Sequence, residues 1–252
     1  MGMKAIVLSC DKYHPIADHM ITSYQEHWPS NPFTFRIPFQ SDRRTLKDKH
    51  GDKVELWETP LEIKPTVLSL LSDLEDDEWV YWCIDDKYLV DVDETAGNAA
   101  YSWAKDINDT AIQGIMFSRC RNLLEEENLR ADTSIRIAEG YEYTERRNYY
   151  QFWIHQFLRV GIIRELFQEF PDHDFVPKEM DAWMGQNLGQ AIKEFKNEQK
   201  MYVSRENFAR FGESSSWGAI TQNCVDSMAR YGLKLPDTFN TTHHEIFMGE
   251  YP

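Results

Sequence analysis

At 252 residues the chain has the length of one large α/β domain, and its 42% apolar and 13% aromatic content can bury enough surface to exclude disorder for most of it. Lys and Arg number 27 against 42 Asp and Glu, and the resulting net charge of -15 repels phosphate backbones and anionic headgroups, which argues against nucleic acid and the membrane surface as partners. No run reaches the roughly 18 to 20 apolar residues that span a bilayer, and Ala5–Leu8 is too short for a signal-peptide core. A cytoplasmic protein is expected, and in that compartment Cys10, Cys83, Cys120 and Cys224 are expected to be reduced thiols; they form no C-x-x-C pair that would suggest a zinc knuckle or a redox dithiol.

The first element is the apolar run Lys4–Ser9, a buried strand that opens into the loop Cys10–Pro15. Pro15 suits a helix start, and Ile16, Met20, Ile21 and Tyr24 follow at helical spacing until Pro29. Phe33–Ile37 alternates as a second strand, a charged surface stretch covers Ser41–Lys53, and Val54–Trp57 is a short third strand. A helix then begins at Lys64-Pro65, with Val67, Leu68, Leu70, Leu71 and Leu74 on its buried stripe.

Trp79–Ile84 is almost unbroken in its hydrophobicity, as a central parallel strand buried on both faces requires, and it stops abruptly at Asp85-Asp86. A helix through Ala99, Ala100 and Trp103 and a strand at Ile112–Phe117 follow. Residues 125–144 are charged and without clear periodicity, which reads as a surface excursion. Tyr149–Val160 reads as an aromatic strand, Ile162–Phe170 and Glu179–Phe195 as helices, Met201–Val203 as a strand, Ser214–Gly218 as a loop and Ile220–Tyr231 as a helix. No repeat or Gly/Pro-rich linker interrupts the chain. The alternation predicts one α/β domain over residues 1–252, with a mainly parallel sheet and helices on both faces.

In open α/β sheets ligands bind at the carboxyl ends of the strands. Asp85 and Asp86 emerge at that edge, where two adjacent carboxylates repel one another unless a proton, solvent or a divalent cation relieves them. The competing reading is a solvated acidic turn. Ser9–Tyr13 occupies the equivalent exit of the first strand: its backbone N–H groups and Tyr13 suit a base or ribose, and Asp11 suits a base N–H or hydroxyl, or else serves as a helix-initiating turn residue. Lys64, at a helix start, can direct a cation at an anion or simply lie on the surface. No Gly-x-Gly-x-x-Gly or Walker sequence is present.

Together KAIVLSCDKY (Lys4–Tyr13), IKPTVLSLLSDL (Ile63–Leu74) and EWVYWCIDDKYLVD (Glu78–Asp91) resemble the GT-A-fold, nucleotide-sugar-dependent glycosyltransferases, in particular small microbial and viral enzymes with a DD variant of the acidic DxD motif. The resemblance covers about residues 4–120; beyond that only the order of elements matches. It implies a GT-A-like, Rossmann-like domain with a donor-binding half over about 1–120 and an acceptor side over about 121–252. It further implies Mn2+ or Mg2+ on Asp85 and Asp86 holding the diphosphate of a nucleoside-diphosphate sugar, UDP-sugar favoured, and a glycan or glycoconjugate acceptor. Ser9, Asp11, Tyr13, Lys64 and Asp85 fall on the donor side. On the acceptor side Asp181 or Glu179 stands where a general base belongs, for an inverting displacement. Trp153 and Trp183 can offer a sugar face or pack in the core, and His155 and Gln156 can meet sugar hydroxyls or satisfy buried backbone. Of His243 and His244 at most one can join a metal site; a solvated pair is preferred.

Lys87 departs from the strict DxD spacing and leaves the directly ligating carboxylate open. A nucleotidyltransferase making activated sugars remains an alternative, although the first loop, SCDKYHP, lacks the glycines that grip a triphosphate. A non-catalytic nucleotide-sugar-binding protein is a third reading.

Overall fold

The computed structural model describes residues 2–118, 135–146, 153–172, 177–183, 199–216, 219–236, 239–242 and 247–248. Its first unit is β1 (Met3–Leu8), a 3-10 turn at Asp11–Tyr13, α1 (His14–His27) and β2 (Phe33–Phe39), with β1 and β2 parallel. Pro15 sits in the first turn of α1, where its missing N–H costs nothing. Then come α2 (Thr45–His50), β3 (Val54–Glu58), α3 (Ile63–Leu70), β4 (Trp79–Ile84), β5 (Lys87–Val92) and α4 (Glu94–Asp106). The Asp93 carboxylate caps α4 by accepting from the N–H groups of Thr95 and Ala96.

The second half supplies β6 (Ile112–Met116), β7 (Arg136–Ala138), β8 (Tyr141–Glu145), β9 (Gln156–Arg159), α5 (Val160–Glu169), α6 (Pro177–Trp183) and β10 (Lys200–Ser204). After these lie β11 (Ala209–Glu213), β12 (Ser215–Ser216), β13 (Ala219–Thr221), α7 (Gln222–Arg230), β14 (Asn240–Thr242) and β15 (Phe247–Met248). A nine-stranded sheet runs β3-β2-β1-β4-β9-β6-β10-β8-β7. Only β9 and β8 oppose the direction shared by the other strands, so the sheet is mainly parallel, as expected.

Period-two alternation sends β1 and β4 into two cores. Ala5, Val7, Tyr81 and Cys83 pack with Met20, Ile21 and Tyr24 of α1 and Ala100 and Trp103 of α4. Ile6, Leu8, Val80, Trp82 and Ile84 pack on the opposite face with Val67 and Leu70 of α3 and Ile163 and Phe167 of α5. Burial on both faces explains the unbroken apolar run of β4.

Three segments correct or extend the sequence expectations. Part of the charged region read as a surface excursion is the β7–β8 hairpin, turning through Glu139 and Gly140 at positive φ of 51° and 86°. Such values on both turn residues belong to the tight hairpin turns whose twist matches the strands. The stretch after Asp86 is strand β5, which leaves the main sheet to pair with β11 and so forms a smaller sheet with β15. The Ser214–Gly218 loop likewise includes the short strand β12.

Candidate functional site

Leu8 lies opposite Ile84 in the parallel β1–β4 pair, so both strands end together and Ser9 comes beside Asp85. Asp85 and Asp86 form the turn from β4 into β5. The Asp85 N–H donates to the Leu8 carbonyl at 3.3 Å, and the Ser214 N–H donates to the Asp86 carbonyl at 2.6 Å, bracing the turn from both sides. The Asp85 residue is only 7% exposed and its Oδ2 has no hydrogen-bond partner. Burial, then the adjacent Asp86 charge, pushes its carboxyl up to about 8. Ser9 Oγ tempers that rise but lies outside hydrogen-bond geometry and is itself unpartnered, as is the buried Ser214 Oγ.

Asp86 is more open, with 31% of its side chain exposed, and its Oδ1 stands 3.2 Å from Lys87 Nζ. Tyr13, half-buried against Phe239 at 5.1 Å between ring centroids, closes the other side. Its phenol is raised by burial first and then by the charges of Asp85, Cys10 and Asp86.

Behind the turn lies a buried polar chain. His155 Nε2 lies 2.8 Å from the Ile84 carbonyl oxygen and 3.0 Å from the Ile84 nitrogen, while Nδ1 pairs with the Tyr24 hydroxyl at 2.7 Å; Tyr24 in turn meets the Tyr81 hydroxyl at 2.9 Å. Burial holds this histidine neutral, down to about 3, with the Ile84 carbonyl opposing the shift. It therefore serves the backbone end of β4 and not a sugar. Gln156, buried beside it, accepts from Arg146. Trp183 packs on Phe170 at 4.9 Å and Trp153 joins the same apolar cluster, so core packing is their role.

Two expected donor-site residues are engaged elsewhere. The Asp11 carboxylate accepts from Gln40 N–H (2.9 Å), Ser41 N–H (2.7 Å), Ser41 Oγ–H (2.6 Å) and Asp42 N–H (3.1 Å), tying the first loop to the one after β2. Burial alone would raise its pKa, but these four donors outweigh that and bring it to about 2. Four donors use its acceptor capacity, and Asp11 opens the 3-10 turn that runs into α1 at His14, as a helix-initiating turn residue would. Lys64 Nζ donates to the carbonyls of Gln168 and Phe170 and to Asp172, capping the carboxyl end of α5. That position is where a helix favours a cation, and it takes the ammonium away from the donor edge.

On the acceptor side, Glu179 is exposed on α6, whose Met180 is buried in the α3–α5 core. Asp181 belongs to the same helix; its side chain, and Cys120, Tyr150, His243 and His244, lie outside the described residues. The structure thus brings together Ser9, Tyr13, Asp85 and Asp86, and adds Lys87, Glu213 and Ser214. Glu213 reaches the edge through β11, with no local sequence signal to announce it.

A divalent cation with hard-oxygen preference fits the donor set. Asp85 Oδ2 is a buried carboxyl oxygen without a partner, Asp86 adjoins it, and Mg2+ characteristically takes one or two carboxylates and completes its shell with phosphate oxygens and water. Among the described residues no group of three His, Cys, Asp or Glu side chains could hold an ion. Among the same residues no helix is long and apolar enough to cross a membrane.

No protein-family model and no curated protein matches the chain. Among solved structures it is similar to 4-diphosphocytidyl-2C-methyl-D-erythritol synthase from Anaerococcus prevotii, at 9% identity over 92% of this chain and 96% of that one, TM-score 0.47. Staphylococcal (S. aureus) TarS, residues 1–349, is similar at 15% identity over 83% of this chain and 60% of that one, TM-score 0.47. The galactosyltransferase LgtC, solved with donor and acceptor sugar analogues, is similar at 13% identity over 97% and 86%, TM-score 0.40. Likenesses at this level assign no activity.

Proposed function

We propose that the chain is a cytoplasmic GT-A-type glycosyltransferase that moves a sugar from a nucleoside-diphosphate donor, UDP-sugar favoured, to a hydroxyl of a glycan. One observation carries the reading: a buried carboxyl with one oxygen unpartnered, Asp85 Oδ2, stands at the carboxyl end of the central strand beside the exit of β1. A buried acid with an unpartnered oxygen destabilises a fold, and perturbed groups of this kind cluster where ligands bind. Asp85 and Asp86 would hold Mg2+ or Mn2+, which when bound stabilises negative charge on the departing diphosphate. Ser9 and Tyr13 line the nucleoside side, within a donor half of about residues 1–120.

On the acceptor side, about residues 121–252, Asp181 takes the proton from the acceptor hydroxyl, with Glu179 as the alternative base. The acceptor oxygen forms its bond to the anomeric carbon while the bond from that carbon to the diphosphate oxygen breaks, and the diphosphate leaves with the electron pair. This displacement inverts configuration.

The test is product analysis with a panel of nucleotide sugars and Mn2+, following UDP release and sugar transfer separately. Donor-dependent UDP release that Asp86→Asn removes is the expected result. Pyrophosphate release from a nucleoside triphosphate and a sugar phosphate, without any UDP release, would make the chain a nucleotidyltransferase. Donor binding with no product would make it a binding protein.

A further inference from the structure

Lys87 stands at the centre of the acidic edge with 8% of its side chain exposed. Its Nζ lies 3.2 Å from Asp86 Oδ1 and 3.1 Å from Glu213 Oε1. Two constraints fix it there. The chain turns into β5 at this residue, and antiparallel pairing sets Glu213 of β11 directly opposite. Thr221 Oγ1–H, donating to the Glu213 carbonyl at 2.6 Å, secures the far side. Beside this ion-pair cluster the Asp85 carboxyl, 7% exposed, keeps an oxygen without a partner.

Resting on the metal-assisted reading above, we propose that Lys87 is a resident counter-cation that holds Asp86 against a free divalent ion, so that the ion is bound tightly only together with an anionic diphosphate. An ion approaching Asp86 alone meets the buried ammonium at ion-pair range, and the two cations repel. A diphosphate reverses the balance, because its oxygens face both cations and turn their repulsion into a shared attraction. Glu213 makes the arrangement workable: it keeps a partner for the ammonium while Asp86 changes hands. Lys87 acts through Asp86, and is a positioning residue in this scheme.

The test is Mn2+ binding to the intact protein, read by the electron paramagnetic resonance signal of free Mn2+ with and without UDP, against buffer containing the same UDP. Lys87→Met should bind Mn2+ in the absence of UDP at least tenfold more tightly than the unaltered chain, and should lose most of the enhancement by UDP. Glu213→Gln, which leaves the ammonium to Asp86 alone, should bind Mn2+ more weakly. Opposite signs cannot both come from loosened packing, and Lys87→Gln repeats the first measurement should the Met variant not fold. Adding Asp86→Asn to Lys87→Met should remove the gain. If folded Lys87 variants bind Mn2+ no more tightly while the unaltered chain binds it with UDP, this inference fails and the metal reading stands. If Mn2+ binds to none of the proteins, with or without UDP, both fail.

Discussion

Asp85→Asn should stabilise the free protein while weakening its hold on the donor. The Asp85 carboxyl titrates at about 8 in the folded chain, against 3.8 for an ordinary aspartate. Because the folded value is the raised one, the native state keeps a proton that the unfolded chain releases between those values. The contribution of this one group is therefore most favourable below about pH 4 and declines as the pH climbs towards 8. At about 1.4 kcal/mol per unit, the interval up to neutral pH costs the fold about 4 kcal/mol. Asparagine has the same shape, is buried with the same lack of partners, and does not titrate. The two proteins should be of similar stability near pH 4 and separate by about 1.4 kcal/mol for each further pH unit. For a domain of this size that reaches on the order of 10 °C in Tm at neutral pH. Urea unfolding of both proteins across pH 4 to 8 measures the separation. A gap that stays constant with pH, or an Asn variant that is the less stable at pH 8, would refute the assignment of a strained acid at this turn.

Three further outcomes follow from named contacts. Asp11, lowered to about 2 from 3.8, contributes stability above its ordinary pKa that is lost as the pH falls through its folded one. Asp11→Asn should therefore flatten the acid limb between about pH 4 and 2 and cost about 2 kcal/mol at neutral pH, seen in circular dichroism and urea titrations. His155→Phe leaves the Ile84 carbonyl and the Tyr24 hydroxyl without their partner and should cost about 3 kcal/mol, whereas His155→Gln, able to keep one of those bonds, should lose less by the same unfolding assay. Asp181→Asn should lower transfer about a hundredfold while UDP binding survives, with Glu179→Gln far milder; steady-state transfer and UDP titration separate the two effects, and the reverse ranking would exchange the roles.

Local patterns expose the parts of this fold that depend on local physics. The run Trp79–Ile84 announces a strand buried on both faces, and Asp85-Asp86 announces where it leaves the core; both stand as expected. The β7–β8 hairpin, Arg136–Glu145, lies in a charged stretch without clear periodicity, its short strands concealed it, and its pairing to β10 joins residues some sixty positions apart. Lys64 shows the opposite failure. A lysine at a helix start points locally to an anion, yet its partners arrive a hundred residues later at the end of α5. Lys87 and Glu213 meet only because β5 leaves the main sheet for β11, and no local period carries that information. Of the strand expected over Tyr149–Val160, residues 149–152 lie outside the described residues; β9, Gln156–Arg159, enters antiparallel between β4 and β6 and carries His155 to the end of β4.

The central claim is that the Asp85–Asp86 edge holds a nucleoside diphosphate through a divalent cation. Thermal unfolding of the unaltered chain and of Asp86→Asn, each with UDP, with Mn2+, with both and with neither, tests it most directly, because a ligand that binds only the native state adds about 2.7 kcal/mol at a hundred times its Kd. The account predicts a rise in Tm with UDP and Mn2+ together that exceeds the sum of the separate effects, and its loss in Asp86→Asn. A rise of the same size in both proteins, or none with any nucleoside diphosphate, would contradict it.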